Sequence, residues 1–189
     1  MMKTIHSNNE SEHLRDQAII NLEQGALTPG YSANVAEVIY YLNESLATEL
    51  VCVLRYRTNY FMARGIHAKG IAQEFLIHAS EELLHVDMLA SRIVQLGGEP
   101  DFSPDGLNNR SHVEYTAVIS LVDMIRENLI AERIAIDSYR DFIHYLKEND
   151  PTTSRMLKEI LAMEEAHADE LADWLEDFPT ATVSELVIN

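Results

Sequence analysis

The sequence predicts an all-α protein: a four-helix bundle with one long crossover and a short extra helix at its N-terminus. Glycine and proline are scarce, with 7 and 5 in 189 residues, and their scarcity favours long helices. Apolar residues recur at helical spacing along the chain. The segment 97–110 contains prolines and glycines and is too long for a simple turn between neighbouring helices. It therefore indicates a connection that runs along the whole bundle.

A short helix is predicted ahead of the bundle. Residues 1–11 are polar and rich in Asn and Ser, and we expect them to be disordered. From about Glu12 to Gln24 apolar residues recur at helical spacing, and the pattern stops near Gly25. These apolar residues are Leu14, Ala18, Ile19 and Leu22. We expect this helix to serve packing or subunit contact.

The first two long helices are predicted to form an antiparallel hairpin. Asn34, followed three residues later by Glu37, is a pattern typical of a helix start, and this helix is predicted to end near Ala63. The second long helix is predicted from about Ala68 to Gly97. Because only a short turn joins the two helices, they are expected to pack side by side.

The last two long helices are predicted to form a second hairpin. The Ser-x-x-Glu motif at 111–114 is a capping box that predicts the start of the third helix, which continues to about Glu148. Asp150 and Pro151 predict the N-cap and first residue of the fourth helix, which is expected to reach about residue 177. The chain is thus expected to divide into an N-terminal segment, 1–30, the bundle, 31–178, and a C-terminal tail, 179–189.

Charge and cysteine content limit the classes of function. A net charge of −17 argues against nucleic acid as a partner, because phosphate binding needs a basic surface. The one cysteine, Cys52, excludes an intrachain disulfide and fits a reducing compartment. The first residues lack the apolar core of a signal peptide, and no apolar run is long enough to span a membrane. We therefore expect a cytoplasmic protein.

The motif Glu-x-x-His occurs twice, and each copy follows a further glutamate 33 or 32 residues upstream. Residues three apart on a helix share a face, so the carboxylate and imidazole of each copy can reach one metal ion. The two hairpins bring each upstream glutamate to the level of its motif. Four carboxylates and two histidines are the ligands of a two-metal site in a four-helix bundle. The predicted ligands are Glu49, Glu82, His85, Glu132, Glu164 and His167.

Each of these ligands has a predicted role. The motif glutamates, Glu82 and Glu164, are expected to be shared between two ions, whereas the other four residues each bind one. Glu49 and Glu132 lie on otherwise apolar helix faces, where an isolated carboxylate would be costly to bury. A single Glu-x-x-His is commonly a solvated surface pair, but its repetition at matched spacing argues for a site. The donor set suits two iron ions, with manganese or zinc as alternatives.

The six ligand positions resemble those of bacterioferritins and their close ferritin-like relatives, over about Val35 to Trp174. The stretch 93–100 is similar to the end of the second helix in that family. Tyr56, seven residues after Glu49, matches a tyrosine beside the family's diiron site, and the resemblance implies a catalytic role as electron donor. A hydrogen-bonded core tyrosine is the alternative. Leu83 stands where bacterioferritins carry their haem-binding methionine, so haem is not expected.

The resemblance implies a ferroxidase that oxidises Fe(II) with oxygen or hydrogen peroxide and stores iron in a hollow homo-oligomer of 12 or 24 chains. One alternative is a diiron or dimanganese oxidase, peroxidase or catalase with a fixed metal cofactor. Another is a DNA-protecting or purely structural miniferritin, against which the net charge of −17 argues. We expect no membrane partner.

Residues near the predicted ligands leave further alternatives open. His78, four residues before Glu82, fits a supporting role, a ligand of a third site or a core histidine. Asp87 and Asp169 each follow a ligand histidine by two residues and are candidates to orient an imidazole across the bundle. Glu81 and Glu165, next to predicted ligands, are expected to lie on a solvated face or to guide cations in. Cys52 is expected to be a small buried residue.

Overall fold

The computed structural model describes residues 8–66 and 68–178, which contain six α-helices and no strand, and confirms the all-α prediction. In chain order these are α1 (Asn8–Ile19), α2 (Val35–Met62), α3 (Ala68–Gln95), α4 (Leu107–Arg110), α5 (Leu121–Leu146) and α6 (Pro151–Glu176). The C-terminal tail, 179–189, and the first seven residues of the segment predicted to be disordered lie outside the described residues. None of the described helices is long and apolar enough to cross a membrane.

The four long helices form two packed pairs, α2 with α3 and α5 with α6, and the pairs meet through α2 with α5 and α3 with α6. Capping residues and a glycine set most helix boundaries where the sequence predicts them. The Asn34 side chain accepts a hydrogen bond from the backbone N–H of Glu37, and that of Asp150 accepts one from Thr153. Gly97, with φ of +78°, follows the end of α3.

The third long helix begins at Leu121, so the prediction that it begins at the 111–114 motif is wrong. The Ser111 hydroxyl bonds the backbone N–H and carbonyl of Val113 instead of capping a helix. Tertiary contacts hold this segment in an extended form: the Thr48 hydroxyl accepts from the His112 N–H at 2.9 Å, and Val113 is buried. The crossover is therefore longer than predicted and contains the short helix α4.

The N-terminal helix also differs in extent from its prediction. It begins at Asn8, within the segment expected to be disordered, and ends at Ile19, and a 3₁₀ turn follows at Leu22–Gln24. The apolar side chains that predict it are largely exposed, at 60% for Leu14 and 71% for Leu22. The helix is thus not packed into the bundle core of its own chain.

The bundle core consists of two apolar clusters at different levels along the helices. One contains Leu42 and Leu46 of α2 with Leu89 of α3, and the other contains Val51 of α2 with Phe75 of α3. Both extend onto α5 and α6. The level between them is the level of the predicted metal ligands. A polar layer therefore separates two apolar halves of one bundle.

Candidate metal centre

All six predicted ligand side chains lie together in the middle of the bundle, one on α2, two on α3, one on α5 and two on α6. Each is at most 5% exposed. Charged residues are almost never fully buried without a partner, and four carboxylates in one layer repel one another. The bundle thus concentrates negative charge where an apolar core would be expected.

The ligand atoms form two overlapping groups, and within each group all of them lie within 4.8 Å of one another. Glu82 and Glu164 belong to both groups. The first group adds Glu49 and His85, and the second adds Glu132 and His167, which makes six residues in all. Two cations placed in these groups would share two carboxylates.

Each imidazole presents Nδ1 to the carboxylates. His85 Nδ1 lies 2.9 Å from Glu164 Oε1, 3.0 Å from Glu82 Oε2 and 3.5 Å from Glu49 Oε2. His167 Nδ1 lies 3.2 Å from Glu82 Oε1 and 3.7 Å from Glu164 Oε2. The same nitrogen of both rings therefore faces the shared pair.

Several buried polar atoms of this cluster have no hydrogen bond of acceptable geometry within the part of the chain that the structure describes. They are Glu82 Oε1, Glu132 Oε2, Glu164 Oε1 and His167 Nδ1. A distance of 2.9 Å, as between His85 and Glu164, is here not accompanied by the angle that a hydrogen bond needs. Buried polar atoms are otherwise almost always paired. Divalent cations would satisfy these atoms, and carboxylate with imidazole suits iron, manganese or zinc.

In the absence of metal, the electrostatics of the cluster favour the protonated forms of Glu82 and His167. Burial, and then the charges of Glu132 and Glu49, raise the pKa of Glu82 to about 8. Burial lowers the pKa of His167, but Glu164 and Glu82 outweigh it and raise the pKa to about 11. Ligands bind metal in their deprotonated form, so cations must displace these protons.

Two tyrosines bond the non-shared carboxylates across the bundle. The Tyr56 hydroxyl on α2 donates to Glu132 Oε1 on α5, and the Tyr139 hydroxyl on α5 donates to Glu49 Oε1 on α2. Each tyrosine follows a ligand glutamate of its own helix by seven residues. Sequence reasoning missed the role of Tyr139, although the repeated Glu-x₆-Tyr spacing was a signal for it.

Glu81 bonds a predicted ligand from outside the cluster. Its Oε2 lies 2.9 Å from His167 Nε2, the nitrogen that does not face the shared carboxylates. Such a contact fixes the tautomer and orientation of a metal-binding imidazole. Asp87 and Asp169, the sequence-based candidates for this role, are exposed. Glu81 is therefore not simply on a solvated face.

A cavity of about 200 Å³ lies between α3 and α6 beside the cluster. His85 and Glu81 line it, together with Glu159 and two methionines, Met88 and Met163. Cys52 is buried in the bundle. Burial, and then the neighbouring glutamates, raise the pKa of its thiol well above the usual value, which keeps it protonated and unreactive.

Comparison with known proteins gives the family. A family model described as a ferritin-like domain matches residues 39–181. Bacterioferritin of Streptomyces coelicolor is 30% identical over 144 residues, 74% of this chain and 80% of that protein. Bacterioferritin of Desulfovibrio desulfuricans is 29% identical over 133 residues, 70% of each chain.

Solved structures agree with this assignment. A dodecameric thioferritin, the bacterioferritin-related protein from Bacteroides fragilis, has a TM-score of 0.74 at 30% identity, covering 77% of this chain and 88% of that one. Dps from Thermosynechococcus elongatus, at 20% identity and a TM-score of 0.71, covers 74% and 90% and shares the fold. This chain belongs to the ferritin-like family.

Proposed function

We propose that this protein is a ferroxidase that oxidises Fe(II) at a dinuclear site within each subunit and stores the iron in a hollow homo-oligomer. The observation that carries this proposal is the buried layer of six ligands, in which two overlapping groups share Glu82 and Glu164. Glu49 with His85, and Glu132 with His167, complete the two iron positions. The family relationship supports the same activity, since two similar proteins are bacterioferritins.

The electrons balance when one reaction cycle of the site oxidises two Fe(II). Each Fe(II) gives up one electron, and oxygen takes two electrons and two protons to become hydrogen peroxide. Peroxide as oxidant takes two electrons and two protons to become two waters. The four carboxylates supply the negative charge that offsets the extra charge of Fe(III). Protons displaced from Glu82 and the imidazoles on iron binding are available for these steps.

We infer that Tyr56 donates an electron to hydrogen peroxide when one Fe(II) occupies the site: that iron gives one of the two electrons that peroxide takes, and the Tyr56 phenol gives the other. Its hydroxyl bonds Glu132 Oε1, so the phenol can lose an electron while its proton passes to that carboxylate. Replacing Tyr56 by Phe is expected to slow iron oxidation about tenfold, about 1.4 kcal/mol in activation free energy. It is also expected to remove a tyrosyl radical signal detected by freeze-quench electron paramagnetic resonance. Tyr139→Phe, which loses the matching bond to Glu49, is the control, and a radical that survives Tyr56→Phe would contradict this role.

The storage function requires assembly, and by family relationship we propose a shell of 12 or 24 chains. The similar protein from Bacteroides fragilis is described as dodecameric. A net charge of −17 per chain attracts cations and supports a shell that accumulates them. A cytoplasmic location remains part of this proposal.

An anaerobic Fe(II) titration of the metal-free protein, followed by air, tests the proposed function. We expect oxidation and retention of far more than two irons per chain in soluble protein, because oxidised iron must leave the site for it to act again. Light scattering is expected to show the assembled shell. Saturation at two irons that stay in place would instead favour an oxidase, peroxidase or catalase with a fixed diiron or dimanganese cofactor. A monomer in solution would contradict storage.

A further inference from the structure

The dinuclear cluster comes closest to solvent at the cavity between α3 and α6. Of the six predicted ligands, His85 is the most exposed, at 5%, and it lines this cavity. Three larger cavities in the described part of the chain have none of the six ligands in their walls. A volume of about 200 Å³ is enough for several water-sized molecules. The cavity therefore offers a small molecule formed at the cluster a way out.

Two methionines stand in the wall of this cavity, each close in sequence to a predicted ligand. Met88 follows His85 by three residues, so the two share a face of α3, and Met163 directly precedes Glu164 on α6. Met88 is half-buried against an apolar cluster, whereas Met163 is 39% exposed. Each of the two helices thus presents a thioether to a molecule that passes between the cluster and solvent.

The thioethers are the groups of this wall that hydrogen peroxide oxidises. The other lining residues are two glutamates, one leucine, one isoleucine and His85. A methionine thioether takes one oxygen atom and becomes a sulfoxide. In that step the O–O bond of the peroxide breaks, one oxygen is transferred to sulfur, and the other leaves as water. The sulfur loses the two electrons that the peroxide gains.

We propose that Met88 and Met163 intercept hydrogen peroxide that leaves the dinuclear cluster and are thereby converted to methionine sulfoxide. The source of the peroxide rests on the proposed function, in which oxygen takes two electrons from two Fe(II). One such reaction yields one peroxide per chain, and two thioethers line the way out. Methionine sulfoxide reductases restore the thioether, so the residues can act again. Interception keeps peroxide from reacting with Fe(II) outside the site.

Other methionines of the chain serve as internal controls. Met62, at the end of α2, is 46% exposed and thus more accessible than Met163, but it is not part of the cavity wall. Met124, on α5, is 1% exposed and is shielded from oxidants in solution. Oxidation governed by exposure alone therefore predicts sulfoxide first at Met62. Oxidation by peroxide from the cluster predicts it first at Met88 and Met163.

Peptide mapping by mass spectrometry after iron oxidation tests the proposal. The full-length chain receives two Fe(II) per chain in air, with catalase in the solution to remove escaped peroxide, and the iron oxidised is measured by absorbance in the same sample. We expect severalfold more sulfoxide at Met88 and Met163 than at Met62, and none at Met124. Metal-free protein treated with added hydrogen peroxide is the reference, in which Met62 is expected to be oxidised at least as fast as Met163.

Leucine substitutions test the interception itself. The double variant, Met88→Leu with Met163→Leu, removes both thioethers at nearly constant volume, a change that protein cores tolerate. Met62→Leu is the matched control. Without catalase, the double variant is expected to release more peroxide per iron oxidised than the control, as measured with a peroxidase-coupled dye. Its rate of iron oxidation is expected to be unchanged.

The outcomes separate this inference from the proposed function. If iron is oxidised but Met62 carries as much sulfoxide as Met163, the interception role is wrong and the ferroxidase assignment stands. The same conclusion follows if the double variant and Met62→Leu release equal amounts of peroxide. If no iron is oxidised, the ferroxidase assignment fails, and the interception role fails with it.

Discussion

Replacing Glu164 by alanine is expected to lower the rate of Fe(II) oxidation by at least about 100-fold. Removing a residue that merely supports a metal ligand typically costs 10–100-fold in metal affinity or activity. Glu164 is a member of both ligand groups, so its loss affects both iron positions. Stopped-flow absorbance of Fe(III) formation after mixing with oxygenated buffer measures this rate. Glu82→Ala removes the other shared carboxylate and is expected to have a similar effect.

Glu165→Ala is the matched control for this change. Glu165 is the next residue on α6 but is exposed and pairs with Arg140, outside the cluster. Its replacement is expected to leave the oxidation rate unchanged. If Glu164→Ala oxidised iron at the parent rate, the site assignment would be wrong.

The isosteric change Glu164→Gln separates activity from folding. Burial, and then the charges of Glu82 and Glu49, raise the pKa of Glu164. A raised pKa means that the ionised carboxylate costs folding free energy at neutral pH. Metal-free Glu164→Gln should therefore be at least as stable as the parent by thermal denaturation, although it has lost oxidation. That result would show that the ionised cluster lowers the stability of the metal-free protein, as expected of residues that serve metal binding.

That the six candidate ligands share one level of the bundle could be predicted from the sequence, because this depends only on helical periodicity. Glu49 and Glu82 lie at similar distances from one short turn, and two straight helices carry that register without further information. The repeat of the same spacing in the second hairpin makes the prediction specific. Burial then excludes a solvated surface pair, since Glu82 is 0% exposed.

The crossover could not be predicted, because its conformation is set by residues distant in sequence. The Ser-x-x-Glu motif is a local signal, and the Arg55 guanidinium competes with it by donating to the Glu114 carbonyl at 3.0 Å. The Thr48 hydroxyl in turn accepts a hydrogen bond from the backbone N–H of His112. Both contacts come from α2, more than fifty residues earlier. Capping patterns indicate where a helix can begin, and tertiary contacts decide whether it does.

Supporting contacts of the centre were missed for a related reason. A carboxylate can orient an imidazole only from the facing helix, and the partner depends on the rotation of both helices. Glu81 reaches His167 from α3, whereas the aspartates nearest in sequence, Asp87 and Asp169, are exposed. Helical spacing gives the faces of one helix but not the contacts between two.

A buried network around Asp150 connects three parts of the chain at one end of the bundle. Its carboxylate, 1% exposed, accepts hydrogen bonds from Arg92 of α3 at 2.9 Å and from Tyr31, ahead of α2, at 2.8 Å. It also caps α6 by accepting from the Thr153 N–H at 2.9 Å. Burial raises the pKa of Asp150, but the bonds from Thr153, Tyr31 and Arg92 outweigh it and hold the pKa below its usual range.

Replacing Asp150 by alanine is expected to lower the free energy of unfolding of the metal-free protein by about 3–5 kcal/mol, because it leaves the Arg92 charge buried without its partner. Urea denaturation followed by circular dichroism measures this loss. Ser120→Ala removes only a helix cap, at the exposed start of α5, and should cost about 1 kcal/mol.

The extra loss in free energy of unfolding for Asp150→Ala over Ser120→Ala measures the contribution of the buried network. If that extra loss depends on pH, the ionised carboxylate of Asp150 is its cause. A group with a lowered pKa stabilises the folded state above its unfolded pKa and loses that contribution as pH falls through the folded value. The gap between parent and Asp150→Ala should therefore be full at neutral pH and begin to narrow only as pH falls below about 4, the usual pKa of an aspartate. Equal losses for Asp150→Ala and Ser120→Ala at neutral pH would show that Asp150 acts only as a cap, and that the Arg92 contact adds nothing to stability.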